Sequence, residues 1–457
     1  MPTRPDLLKR AADHAVAYLD TIADRHVGAM ATGDELRRQL AVPLPDAGDA
    51  EEVVIDALAM AGALGTVATQ GPRYFGFVVG GSVPAATAAD WLVSAWDQNA
   101  GVYVLSPIVS VVEDVTAGWL KELAGLPAGW STGFVTGCQA ANFTALATAR
   151  HHVLNQAGWD VEANGLYGAP WVHVVCSDES HYTIFNALKL LGFGADRVTR
   201  VATDEQGRMR ADALATTLES LTGPTIVCAQ AGNVNTGAFD PIDDIATVTS
   251  AHGAWLHVDG AFGLWAAASP TRAHLVNGIA RADSVATDAH KWINVPYDSG
   301  VVFTAHPASH RRAMTLSAAY IIESARERDP HEFVPEESRR GRAVPIYAAI
   351  RTMGRQGFGA LIDRCCTLAT HLATRLRADD RLEILNEVVL NQVLIRVRGA
   401  EADARTKQMV ERLQQEGTCW ASGTTWHGMS ALRLSVSNYS TTEKDIDRTA
   451  DAILKVV

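Results

Sequence analysis

The chain is short of basic residues, of paired cysteines and of long apolar runs. Lys and Arg number 39 against 51 Asp and Glu, a net charge of −12 over 457 residues. No basic block offsets that deficit, so the phosphate neutralisation that drives nucleic-acid binding has no source here. No apolar stretch approaches the roughly 18 residues that a membrane-spanning helix needs. The opening MPTRPDLLKRAADHAVAYLD mixes Asp6 and Asp13 with Arg4, Lys9 and Arg10. It lacks the unbroken apolar core and small-residue cleavage site of a signal peptide, and reads as an amphipathic helix. The six cysteines, at 138, 176, 228, 365, 366 and 419, show no CxxC spacing. They suit buried thiols in a reducing cytoplasm better than a disulfide framework or a zinc site. Neither an internal repeat nor a low-complexity segment is evident.

What is there has the balance of an ordinary globular enzyme, with 47% hydrophobic and 20% charged residues. The length suggests about three folding units at roughly 150 residues each. Residues 1–65 read as a helical arm, with apolar positions at helical spacing in LLKRAADHAVAYLDTIA and with Asp34 as the expected cap of ELRRQL. Residues 66–360 read as a large α/β domain. Within it WVHVVCS, VTRVATD, PTIVCAQAG, AWLHVDGA, SVATDAHKW and GVVFTAH are expected strands, several of them separated by helical runs. Near-continuous apolar strands alternating with helices predict a parallel or mixed sheet covered on both faces. The stretch 307–345 is charged and broken by prolines, the composition of a functional loop. A long helical stretch follows, with a break expected near Gly357 and Gly359. Residues 361–457 close as a small α+β domain.

In sheets of this kind ligands sit beyond the carboxyl ends of the strands. Four expected strand ends carry reactive residues there: His181, then Asn235 and Thr236, then Asp259, then Lys291. Asp259 and Lys291 lie 32 residues apart, about one βαβ unit, and so can reach one crevice. The segment GFVTGCQAANFTALATAR is a small-residue turn entering a helix, whose first amides and positive dipole end attract an anion. Singly, each has a plainer role: an Asp as a helix cap, a Lys as a surface charge, a His as a helix start. Together they meet the needs of pyridoxal phosphate. Its aldehyde needs a lysine amine, its ring nitrogen a carboxylate that keeps it protonated, and its phosphate a helix N-terminus.

At these residues the chain resembles the group II pyridoxal-phosphate-dependent amino-acid decarboxylases. They belong to fold type I, the aspartate-aminotransferase-like superfamily. The motifs that carry the resemblance are SDESHYTIFNALKLLGFG, GNVNTGAFDPI, WLHVDGAFG, DSVATDAHKWINVPYDSG and ESRRGRAVPIYAAIR. The resemblance implies that Lys291 is the Schiff-base lysine. It implies that Asp259 pairs with the ring nitrogen, that Ala261 packs under the ring and that His181 stacks on it. Gly137, Cys138 and Gln139 would form the phosphate cup with help from His290, and Asn235 or Thr236 would lie near the ring hydroxyl or the substrate. TGCQAAN departs from the family's hydroxyl-rich run, so backbone donors carry more of the cup. A family tyrosine that returns a proton to the substrate α-carbon matches Tyr320, 29 residues after Lys291. Relatives with Phe there tend to make aldehydes, so Tyr320 argues for simple decarboxylation.

The implied reaction converts an L-amino acid to its amine and CO2. The segments PRYFGFVVGGSVP and WDQNAGVYVLSP, expected on the substrate side, carry Tyr74, Phe75, Phe77, Trp96, Tyr103 and Leu105 and no Lys or Arg other than Arg73, which favours an aromatic or bulky apolar side chain. An aldehyde synthase, an aminotransferase or a carbon–carbon lyase of the same fold type is the alternative. The family also implies a cytoplasmic homodimer with shared active sites, and no nucleic-acid, membrane or metal partner is expected.

Overall fold

The computed structural model describes residues 3–315 and 326–457. They form two compact units. The larger comprises Gly80–Thr370 with Asn386–Val393, and the smaller comprises Met1–Val79, His371–Leu385 and Leu394–Val457.

Among the described residues, the larger unit is built on one sheet of seven strands. They are β1 (Ser131–Val135), β2 (His173–Ser177), β3 (Thr199–Val201), β4 (Thr225–Gln230), β5 (Trp255–Asp259), β6 (Ser284–Asp288) and β7 (Gly300–Thr304). Their order is β1-β7-β6-β5-β4-β2-β3. β3, β2, β4, β5 and β6 run parallel, whereas β7 is antiparallel to both β6 and β1. Every residue of β4, β5, β6 and β7 is buried, the signature of a sheet covered on both faces, and their Val, Ile, Ala and Thr content suits it. The helix Cys138–Gln156 lies against this sheet and buries Ala141, Ala145, Leu146 and Ala149.

The register places the chemistry. Asp288 pairs with Gly300, and Gly300 with Val135. Gln230 pairs with Asp259, and Asp259 with Ala286. The ends of β1, β4, β5 and β6 therefore lie along one edge. β1 was not among the expected strands, because its STGFV was read as part of the turn before the helix.

The long helix Ala343–Arg377 breaks at Gly354 (φ 64°) rather than at Gly357 or Gly359. Glycine is the residue that tolerates this left-handed backbone. Gly359 is helical, and packing is what calls for glycine there: a Cβ would lie 2.7 Å from the Ala268 carbonyl oxygen.

The smaller unit contains the helices Arg4–Asp20, Gly33–Leu40 and Glu51–Gly65. The cap of Gly33–Leu40 is Thr32, not Asp34: Thr32 and Glu35 form a reciprocal capping box, and Asp34 sits in the first turn paired with Arg37. A second sheet has the order β10-β11-β9-β8, with β8 (Leu382–Ile384), β9 (Gln392–Val397), β10 (Ser422–Trp426) and β11 (Met429–Ser435). The helix Ala402–Glu416 packs against β10 and β11, and the helix Glu443–Val456 packs against Ala402–Glu416.

Candidate active site

At the carboxyl edge of the large sheet, three groups meet around one buried carboxylate. The Lys291 ammonium lies 2.9 Å from Asp288 Oδ2. The Cys138 backbone N–H, first in its helix, donates to Asp288 Oδ1 at 2.5 Å. His290 Nε2 lies 3.3 Å from the same oxygen. Burial works against the charge on Lys291, but the charge and hydrogen bond of Asp288, with the charge of Asp259 adding to them, outweigh it and raise its pKa. His290 moves the other way, because burial dominates.

Asp259, at the end of β5, heads a second network. Its Oδ1 accepts from the Cys138 thiol at 3.3 Å and from the Ala261 N–H at 3.1 Å. Its Oδ2 accepts from Asn142 Nδ2 at 3.2 Å. Burial, then the charges of Asp259 and Asp288, hold the Cys138 thiol protonated by raising its pKa well above the ordinary value. Behind Asn142, His257 Nε2 lies 3.0 Å from the amide oxygen and His257 Nδ1 lies 2.9 Å from Ser284 Oγ. Burial drops the His257 pKa to about 4, so the ring is neutral. The network then has one consistent sense. Trp255 Nε1 donates to Ser284 Oγ, the Ser284 hydroxyl to His257 Nδ1, His257 Nε2 to Asn142, and Asn142 to Asp259.

Two glycines let the backbones approach this closely. A side chain on Gly80 would overlap the Lys291 carbonyl, and one on Gly300 would overlap the Gly137 backbone. Gly137, the N-cap of the helix, has its open side facing Asp288 and His290.

The structure thus brings together Gly137, Cys138, Asp259, Ala261, His290 and Lys291 of the residues singled out from sequence. Gln139 is exposed on the first helical turn. His181 precedes the helix Tyr182–Leu190 beyond β2, with Nδ1 2.8 Å from Thr183 Oγ1. Asn235 and Thr236 follow β4, and the Asn233 side-chain oxygen accepts both of their N–H groups. The Thr236 hydroxyl donates to the Gln206 carbonyl at 2.7 Å. Tyr320 lies outside the described residues. Sequence reasoning missed Asp288, Asn142, His257 and Ser284. Asp288 stands three residues before Lys291 inside the quoted DAHKW motif, and Asn142 stands one helical turn after Cys138, so both carried a positional signal.

The residues fit a pyridoxal phosphate. A partly buried amine, a buried carboxylate held only by donors, and a glycine-started helix whose first amide already attracts an anion occur within one cluster.

The pyridoxal-dependent decarboxylase conserved domain matches residues 34–398. The chain belongs to the pyridoxal-dependent decarboxylase family. It is 32% identical over 385 residues to the L-2,4-diaminobutyrate decarboxylase of Rhizobium meliloti (strain 1021), covering 81% of this chain and 75% of that one. It is 27% identical over 451 residues to an aromatic-L-amino-acid decarboxylase of Bacillus atrophaeus, covering 96% and 92%. The crystal structure of mouse CSAD in apo form superposes with a TM-score of 0.92 at 25% identity, covering 99% of this chain and 98% of that one. Oryza sativa TDC with PLP and tryptamine gives 0.92 at 23% identity, covering 99% and 97%, a likeness of fold alone. This decarboxylase is therefore a fold-type-I α/β enzyme that depends on pyridoxal phosphate and acts on an amino acid. No helix among its described residues is long and apolar enough to cross a membrane.

Proposed function

We propose that the enzyme decarboxylates an aromatic or bulky apolar L-amino acid to its amine, with Lys291, Asp259 and His181 as its central residues. The observation that carries the residue assignment is the Cys138–Asp259–Asn142 arrangement beside the Lys291–Asp288 pair. When bound, the pyridoxal ring supplies an electron sink for the pair left on the α-carbon as CO2 departs. Lys291 would hold the cofactor covalently through Nζ. Asp259, fixed by three donors, would keep a proton at the ring nitrogen. Cys138 and Gly137, with His290 beside them, would seat the phosphate through backbone N–H groups, and Gln139 would lie at the rim. Ala261 would pack under the ring and His181 would cover the other face. Asn235 and Thr236 would order the loop after β4 at the ring-hydroxyl side. Tyr320 would return a proton to the α-carbon.

Two features support the substrate class. The segments 72–84 and 96–107 are rich in apolar residues. Arg73, the cation among them, is buried with its guanidinium hydrogen-bonded to the carbonyls of Thr418, Ala23 and Arg25, which leaves it poorly suited to clamp a substrate carboxylate. The relatives' names span aromatic and diamino acids, so substrate choice is the point to test. A screen of the common L-amino acids, with CO2, amine, aldehyde and peroxide assayed together, should give kcat/KM at least tenfold higher for aromatic or bulky apolar substrates than for glutamate or aspartate. A preference for acidic substrates overturns the substrate reading, and aldehyde with peroxide as the main products favours an aldehyde synthase. Lys291→Ala should lose at least roughly a thousandfold in turnover. A Tyr320→Phe enzyme that keeps full amine output and releases no aldehyde removes Tyr320 from the reaction.

The same reading makes the enzyme a cytoplasmic homodimer with shared active sites. The helical arm exposes Leu8, Val16, Val53, Leu58 and Met60, an apolar surface that a partner copy would cover. All six cysteines are free and buried thiols, in keeping with a reducing compartment.

A further inference from the structure

We infer that Asp288 is a built-in competitor for the phosphate seat, so that this enzyme holds the phosphate of its cofactor against an internal carboxylate. The inference rests on the reading of Gly137–Cys138 as the phosphate cup. The first amide of the helix is the donor such a cup offers, and it already donates to Asp288 Oδ1 at 2.5 Å. An N–H directed at one oxygen is not available to a second anion along the same line. Asp288 is also fixed from behind. It ends β6, its backbone oxygen accepts from Trp265 Nε1 at 3.3 Å, and its side chain is 5% exposed. At that exposure the carboxylate has little water to turn to.

Two cations face this carboxylate, Lys291 at 2.9 Å and His290 at 3.3 Å when protonated. Burial lowers the His290 pKa, which leaves Lys291 as the principal counter-charge. Covalent attachment of the cofactor through Lys291 would replace the aldehyde oxygen by Nζ, with water leaving, and would turn Nζ towards the cofactor and away from Asp288 Oδ2. The phosphate thus enters a seat whose nearest side chain is anionic. Gly137 brings no cap of its own, since its open side faces Asp288 and His290. The consequence is a phosphate contribution to cofactor affinity that is smaller than the helix N-terminus alone would supply, and a cofactor that exchanges readily.

The test separates the phosphate from the ring. The full chain is stripped of cofactor and titrated with pyridoxal phosphate and with pyridoxal, following the visible absorbance band. Asp288→Asn keeps the size and one acceptor oxygen but removes the charge, and Asp288→Ser serves if the first variant folds poorly. The expected result is at least a tenfold gain in affinity for pyridoxal phosphate relative to pyridoxal. Inorganic phosphate alone should raise the melting temperature of the stripped variant and leave that of the stripped wild type unmoved. A gain or loss shared equally by the two ligands overturns the inference, because that is the signature of a role at Lys291 or in the fold. Equal protection of wild type and variant by inorganic phosphate overturns it as well. If the wild-type chain develops no absorbance band with pyridoxal phosphate, the reading of the cup fails first and the inference fails with it.

Discussion

Asn142 joins Asp259 to His257: its Nδ2 donates to Asp259 Oδ2 at 3.2 Å, and its Oδ1 lies 3.0 Å from His257 Nε2. All three side chains are buried, so neither neighbour has water as a substitute partner. Asn142→Leu keeps the volume and strands a carboxylate oxygen and an imidazole N–H. Each stranded group costs about 1–3 kcal/mol. The expected loss of stability in urea unfolding is therefore about 2–6 kcal/mol, together with weaker binding of pyridoxal phosphate as Asp259 loses its orientation. Stability within about 0.5 kcal/mol of wild type would show that the chain from Ser284 to Asp259 does not act as a unit.

Two buried histidines set the acid limit of the fold. Burial lowers His257 to about 4 and His310 to about 3, against an ordinary value of 6.5. Below pH 6.5 the unfolded chain takes up protons on both rings, while the folded chain refuses them until far lower pH. Stability therefore falls as pH drops through the window from 6.5 towards 4 and 3. At pH 5 each ring accounts for about 2 kcal/mol. The melting temperature should drop clearly between pH 7.5 and pH 5, and His310→Asn should flatten that slope. An unchanged slope in the variant would assign the acid loss to other groups.

The strands around the site were legible because buried parallel strands are nearly continuous apolar runs, and AWLHVDGA and SVATDAHKW each end on a polar residue that breaks the run. That Lys291 and Asp259 reach one crevice was expected from their βαβ spacing. Asp288 escaped because a carboxylate at a strand end has the same sequence signature whether it caps a helix or faces a lysine. His257 and Ser284 escaped because both lie inside strands, where a polar residue reads as an interruption. Their partnership needs the β5–β6 register that pairs His257 with Ser284. The cap at Thr32 was missed although Thr32 and Glu35 have the capping-box spacing, since Asp34 in the same turn is also a cap former.

Gly300 is a packing requirement rather than a hinge. A methyl group there would overlap the Gly137 backbone, which cannot retreat because Val135 is paired with Gly300 in the sheet. Gly300→Ala should displace Gly137 and Cys138 from the sheet edge. The expected outcome is a loss of about 1–3 kcal/mol from overpacking, with affinity for pyridoxal phosphate reduced more than affinity for pyridoxal. Differential scanning and paired titrations measure both, and a variant with wild-type affinity for each ligand would show that the cup does not depend on this contact.

Arg339 and Glu113 form a fully buried ion pair at 2.5 Å, and Arg339 also donates to the carbonyls of Ala100 (2.9 Å) and Phe134 (2.7 Å). Phe134 belongs to β1, the strand that leads into Gly137 and Cys138, so the pair ties the chain after residue 326 to the strand carrying the cup. Arg328, its pKa lowered chiefly by burial, stands 3.7 Å from the other Glu113 oxygen as a second cation. Removing one partner of such a pair leaves a buried charge, at a cost of about 3–5 kcal/mol. Arg339→Met should lose that much in urea unfolding. Adding Glu113→Leu should restore part of it, because replacing both charges by apolar groups of similar size is near neutral. The recovery stays partial, since two carbonyls still lack their donor. If the double variant instead loses the sum of the single effects, the pair is not coupled and the anchoring of β1 lies elsewhere.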